Sequence, residues 1–350
     1  MFCRPGSSSG LQIRLGRDDK MLESKELIES AYGLSISAIK SCRAGYILET
    51  DTGRKYLRPC QCSVNRILYV HDAKQYLYSH GFTNLDTYCL TVDGRPYAVL
   101  DGQLYLLTPF IDGHECEFGD DGDSVRAAYA LSAMHKAGKG FRHKSDSYDY
   151  TPNDLGKIRE SLTKRYEEIL RMRRKAERER GAFDYLYLDC VDRFIDLAEE
   201  SLELLRGPEY ERLIRKTAEE GGICHHDYSY QNIIIKGQTT TITGFESCGQ
   251  EIRIYDLVNL IRRKMRKCNW DPSKASMLLE AYCELEPLSR DEIVVMKAML
   301  LFPQKFWRVA NRYYNSRRSW AQRNFSGMLE EVIAEYDHHV RFMKQYDSLF

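Results

Sequence analysis

The spacing of apolar and polar residues changes character near residue 112. Residues 1–20 (MFCRPGSSSGLQIRLGRDDK) are rich in Gly and Ser, carry no apolar period and read as a disordered leader. MLESKELIESA, about 22–32, has apolar residues at helical spacing. AIKSCRAGYILET and GRKYLRP then read as two strands joined by a turn at Asp51-Thr52-Gly53. Residues 63–80 (SVNRILYVHDAKQYLYSH) return to helical spacing behind a serine placed to cap the helix. Residues 87–111 read as strand again, with turns at Asp93-Gly94 and Asp101-Gly102.

From about residue 123 the period is helical, predicting helices near 123–137, 153–179, 181–206, 208–220, 253–267, 272–285, 290–301, 304–316 and 322–347. Asp154, Ser273 and Ser289 stand at expected N-caps. One strand pair, NIIIKG and TTITGFE, interrupts them around Gly237-Gln238. The pattern divides the chain into a leader (1–20), a β-rich lobe with one helix (21–112) and a mainly helical lobe (113–350) holding a hairpin at 223–248. This is an α+β class, and the layout resembles the bilobal protein-kinase-like fold.

Charge narrows the function. Lys+Arg and Asp+Glu both number 51, a balance that argues against a dedicated nucleic-acid binder. No apolar run approaches the roughly 20 residues that span a bilayer, and the N-terminus has no apolar signal core, so no membrane partner and a cytosolic origin are expected. The 11 cysteines include no CxxC pair and read as reduced, small apolar residues.

The chemistry concentrates in ICHHDYSYQNIIIKGQTTTITGFESC, residues 223–248. His225-His226-Asp227 and Asn232 fit the spacing H-x-D-x4-N, followed by an apolar strand. In a phosphotransferase loop of this kind the Asp accepts the acceptor's hydroxyl proton and the Asn reaches a magnesium ion between nucleotide phosphates. The next strand normally delivers a metal-binding Asp, and here that place reads Thr243-Gly244-Phe245-Glu246.

ALSAMH (130–135), TPFIDG (108–113) and Asp256 in IRIYDLVNLIRR resemble elements of aminoglycoside phosphotransferase-like proteins. RPYAVLDGQLYLLTPFIDGHECEF, CHHDYSYQNIII, IYDLVNLIRRKMRKCNWD and FPQKFWRVANRYYNSRRSW narrow the likeness to the clostridial branch of the CotS family of spore coat proteins, over about residues 25–347. The resemblance implies a fold related to choline and aminoglycoside kinases, ATP and magnesium as possible cofactors or else none, synthesis in the mother cell and deposition on the spore coat beside other coat proteins. It places Thr108 and Phe110 in the connector beside a nucleotide and gives His225 and Asp256 loop-ordering roles. It aligns Arg58 with the phosphate-binding lysine and Gln75 with that lysine's helix glutamate.

Three charged positions then depart from the working pattern: Arg58 for lysine, Gln75 for glutamate and Gly244 for the metal carboxylate. Glu246, two residues past Gly244, is a substitute metal ligand if the strand continues. The segment 41–46, with one glycine, makes a thin phosphate clamp. Three functions are consistent with this: a coat structural protein on a catalytically impaired kinase fold, an active phosphotransferase with Asp227 as base, or a nucleotide-binding module without turnover. Basic, aromatic stretches at 262–270 and 312–320 read as solvated helix faces with Trp270, Trp307 and Trp320 in the core, or as an anion-binding patch on the helices that line the acceptor site in transferase relatives. Residues 164–181 read as an exposed helix of mixed charge.

Overall fold

The computed structural model describes residues 24–42, 44–143, 150, 152, 154–179, 181–315 and 322–350. The leader, the start of the 22–32 helix, Arg43 and Trp320 lie outside the described residues. Two compact units divide the chain: one ends at His71 and resumes over Asp86–Ile111, the other holds Asp72–Leu85 and Asp112–Phe350.

The first unit opens with helix α1 (Lys25–Tyr32), which stops at Gly33 in the left-handed region, φ 63°. Five antiparallel strands follow: β1 (Ile36–Cys42), β2 (Gly45–Thr50), β3 (Gly53–Cys60), β4 (Ala98–Leu100) and β5 (Gln103–Pro109), in the order β1-β2-β3-β5-β4. The single run predicted over 38–50 is thus two strands folded against each other, with Cys42 opposite Gly45. Ile28, Leu48, Leu57 and Leu107, all fully buried, form the core between α1 and the sheet. The Asp101-Gly102 turn joins β4 to β5, both residues at positive φ (49° and 75°), the geometry that Asp-Gly favours.

Helix α2 (Val64–Ser79) begins in the first unit and ends in the second. The second unit adds a three-stranded sheet, β6 (His114–Glu115), β7 (Ile233–Lys236) and β8 (Thr239–Ile242), with β7 central. Its helices are α3 (Asp121–Gly138), α4 (Lys157–Glu179), α5 (Ala182–Arg206), α6 (Pro208–Glu220), α7 (Ile254–Met265), α8 (Pro272–Cys283), α9 (Arg290–Leu301), α10 (Gln304–Asn315) and α11 (Gln322–Gln345). Ser289 caps α9 in a reciprocal box with Glu292. Ser273 does not cap α8: Asp271 does, accepting the Ser273 N–H, with Pro272 at the first helical position. Stacked rings bind α5 to α10, with Phe194 and Phe306 centroids 4.1 Å apart and Tyr187 and Phe306 5.1 Å apart.

Candidate functional site

The loop before β7 is fixed by one buried carboxylate. Asp256, on the first turn of α7, is fully buried and accepts the backbone N–H groups of His225 at 2.6 Å and His226 at 2.9 Å. Its Oδ2 also faces His135 Nε2 of α3 at 3.2 Å, and His135 Nδ1 lies 2.8 Å from the Tyr282 hydroxyl. Burial alone would push the Asp256 carboxyl up; the His135 hydrogen bond and the surrounding imidazoles prevail and hold it at about 2. His226 takes a positive φ of 64°, a strained turn for a side-chain-bearing residue, and the two bonds to Asp256 brace it.

His225 links the loop to the segment after β8. Its Nδ1 accepts the Asp227 N–H at 3.2 Å, so Nε2 carries the proton and donates to the Thr243 carbonyl at 2.9 Å. Its ring packs against Phe245, centroids 4.7 Å apart. Asp227 is exposed. Asn232 donates through Nδ2 to the Asp227 carbonyl at 2.8 Å and to Asp227 Oδ2 at 3.1 Å, so the structure brings the motif's Asp and Asn into direct contact.

Gly244 sits at φ 74°, ψ 44°, and a Cβ built there would fall 2.4 Å from Asn232 Oδ1. The space where a carboxylate stem would leave the backbone is thus occupied by the Asn232 amide. The strand does not continue to Glu246: β8 ends at Ile242, Gly244 turns the chain, and Phe245–Ser247 is a single 3-10 turn. The same-side relation expected of Glu246 from strand alternation is therefore lost, and with it the reasoning that made it a substitute ligand beside Asn232. A magnesium clamp needs carboxylate oxygens to offset its dehydration, and Gly244 supplies none; Asn232 donates its Nδ2 to Asp227, which leaves only its Oδ1 as a ligand atom. The carboxylate that would accompany Asn232 around a magnesium ion is therefore missing from position 244.

Arg58 is half-buried on β3, opposite Leu106 of β5. Thr108 is buried, and Phe110 carries the Arg54 guanidinium 4.8 Å above its ring. Gln75 is exposed on α2. The inward residue is its neighbour Lys74, fully buried, with Nζ 5.4 Å from the Phe245 centroid. Only the helical phase, fixed by packing, could have shown this. His135, Cys224 and Asp256 approach within metal-ligand range, but their donors are committed to one another and to backbone: Cys224 Sγ faces the Glu251 and Ile252 carbonyls at 3.3 and 3.4 Å.

Beside the loop, in the same unit, lies a cavity of about 570 Å³ lined by His226, Tyr255, Arg263 and residues of α4, α7, α10 and α11. Arg263 reaches from it to donate to the Tyr228 carbonyl. Arg165, placed by its sequence on an exposed face, lines this cavity instead.

A family model described as "Spore coat putative kinase YutH" matches residues 25–346. The chain belongs to this family. Spore coat protein S of Bacillus subtilis (strain 168) is 24% identical over 321 residues, covering 91% of this chain and 90% of that protein. Among solved structures, an aminoglycoside phosphotransferase from Alicyclobacillus acidocaldarius superposes with a TM-score of 0.83 at 21% identity, covering 97% of this chain and 98% of that one. A spectinomycin phosphotransferase solved with ADP and spectinomycin gives 0.57 at 13% identity, covering 90% and 98%. The fold is kinase-like, and the resemblance drawn from the motifs to the spore coat family holds. No helix among the described residues is long and apolar enough to cross a membrane.

Proposed function

We propose that this spore coat family member is a structural or assembly component of the coat, built on a phosphotransferase fold whose transfer chemistry is impaired. The observation that carries the reading is Gly244: a left-handed residue without a side chain stands at the metal-carboxylate position, closed off by Asn232. Phosphoryl transfer is mostly positioning and charge neutralisation, so an absent metal ligand removes its largest contribution. Asp227 and Asn232 persist because they complete the loop's own hydrogen bonds. Coat proteins are its expected partners, as the family's name implies.

The test is melting temperature with ATP, with magnesium and with both, alongside ATP consumption, in the parent and in Asp227→Ala. No magnesium-dependent shift and no turnover are expected. A shift with ATP and no turnover would mark a nucleotide-binding module. A magnesium-dependent shift with turnover lost in Asp227→Ala would establish an active phosphotransferase and refute the proposal.

A further inference from the structure

The cavity beside the catalytic loop carries an unusual charge. Its lining includes seven cationic side chains (Lys157, Arg165, Arg262, Arg263, Arg266, Lys305 and Arg308) against three carboxyls (Asp154, Glu251 and Glu335). The carboxyls are already committed. Asp154 pairs with Lys157, and Glu335 with Lys305 and Arg266. Glu251 is buried, and burial pushes its carboxyl up to about 7, so it is only about half-ionised at neutral pH.

Four guanidinium groups are left. Arg165 donates to the Gln304 amide oxygen at 2.8 Å, Arg262 to the Met299 carbonyl and Arg263 to the Tyr228 carbonyl. Arg308 is exposed and makes no hydrogen bond or ion pair with a described residue. None of the four has a carboxylate within ion-pair distance among the described residues. They also repel one another. Burial first, then the charges of Arg165 and Arg308, lower Arg262 to about 10; Arg165 is lowered by burial and by Arg308. Clustering unpaired cations against a partly buried wall costs folding energy. A protein that keeps such a cluster has a use for it that folding does not supply.

A second observation points the same way. Trp270 is only 6% exposed, lines the same cavity, and its indole N–H has no hydrogen-bond acceptor. A buried, unsatisfied donor thus stands beside guanidinium groups that have no carboxylate to balance their charge. His339 adds no charge: its Nε2 donates to the Leu300 carbonyl at 3.0 Å, and burial lowers it to about 4.

We infer that this cavity binds a small polyanion, a molecule carrying two or more phosphate or carboxylate groups held by Arg165, Arg262, Arg263 and Arg308. The volume suits a compact small molecule. Guanidinium forks match both phosphate and carboxylate oxygens bidentately. A polycationic ligand would meet an excess of like charge there. The inference does not depend on whether phosphoryl transfer survives, since the cluster would hold an anion in a scaffold or an enzyme alike.

Calorimetric titration of the full chain with inorganic pyrophosphate, citrate and spermidine tests it, in the parent, Arg308→Gln and Arg308→Lys. Arg308 makes no internal bond, so both variants should fold as the parent does. Pyrophosphate or citrate should bind, and Arg308→Gln should weaken the bound anion by about tenfold or more, with Arg308→Lys intermediate. Tighter binding of pyrophosphate would assign a phosphorylated ligand, and tighter binding of citrate a carboxylated one. Three results would overturn the inference: no anion binding up to about 10 mM, anion binding indifferent to Arg308→Gln, or binding of spermidine in preference to both anions.

Discussion

Asp256→Ala tests how the loop is held. The carboxylate accepts from two backbone donors and one imidazole, all buried. Truncation orphans all three, at about 1–3 kcal/mol each before relaxation, so a total of roughly 3–5 kcal/mol is expected. A separate route to the magnitude is the depressed carboxyl. A fall from 3.8 to about 2 corresponds to about 2.5 kcal/mol favouring the ionised over the neutral acid. The sign follows: this stabilisation is complete above the unfolded value and is lost as pH falls toward about 2, so it is fully present at neutral pH. Asp256→Asn keeps the shape but turns an acceptor into a donor facing an N–H. It should therefore cost about 2 kcal/mol or more. Denaturant unfolding gives the global cost, and hydrogen exchange of peptides covering residues 223–232 gives the local one. If both variants stay within about 1 kcal/mol of the parent and the His225 and His226 amides remain as protected, the claim that Asp256 orders the loop is wrong.

Three further outcomes follow from the same structure. Gly244→Asp should lower the melting temperature and restore no ATP consumption, because a left-handed side-chain residue costs about 1–2 kcal/mol and must displace Asn232; Gly244→Ala separates that strain from the added charge, and a Gly244→Asp variant that gains turnover would refute it. Glu251 has a raised carboxyl, so its stabilising contribution is present below about 4.5 and lost as pH rises through about 7; Glu251→Gln, which can still accept the Ile252 N–H, should flatten that decline and stabilise the chain at pH 8 by on the order of 2 kcal/mol, as read from denaturation midpoints across pH. Ser289→Ala should destabilise α9 by about 1 kcal/mol, visible as faster hydrogen exchange over residues 290–294.

The parts of this molecule governed by local rules were legible in the sequence. Asp101-Gly102 makes the tight turn its residue types predict, and Ser289 with Glu292 makes the capping box. What failed needed tertiary information. The segment 89–97 alternates like a strand, but Leu90 and Val92 are 46% and 68% exposed, and Thr91 and Arg95 close a loop instead. Asp271 displaced Ser273 as a cap because Pro272 fixes the first helical residue. The resemblance aligned Gln75 with the helix glutamate; in the structure Gln75 is exposed and its neighbour Lys74 is buried. Gly244 was read as a deletion of charge; its backbone also redirects the chain and so breaks the strand alternation assumed for Glu246. The basic cavity was hardest to foresee, since Arg165, Arg262 and Arg308 come from three helices and each stretch alone looks like a solvated face.

The two halves of the candidate centre differ in what they still require. Around the motif, every link is made by the protein itself: Asp256 to the loop amides, His225 to Thr243, Asn232 to Asp227, and the Asn232 amide against Gly244. Such a loop has internal hydrogen-bond partners for its ordering groups without a cation. In the neighbouring cavity the balance is reversed, because four guanidinium groups and an indole N–H find no anionic partner among the described residues. An unpaired charge cluster is disfavoured by folding, whereas a satisfied loop is not. Among the described residues of this unit, the unbalanced charge therefore lies in the arginine cavity rather than around Gly244. A variant series that neutralises the cavity should change ligand binding while leaving loop protection intact, and Asp256 variants should do the opposite.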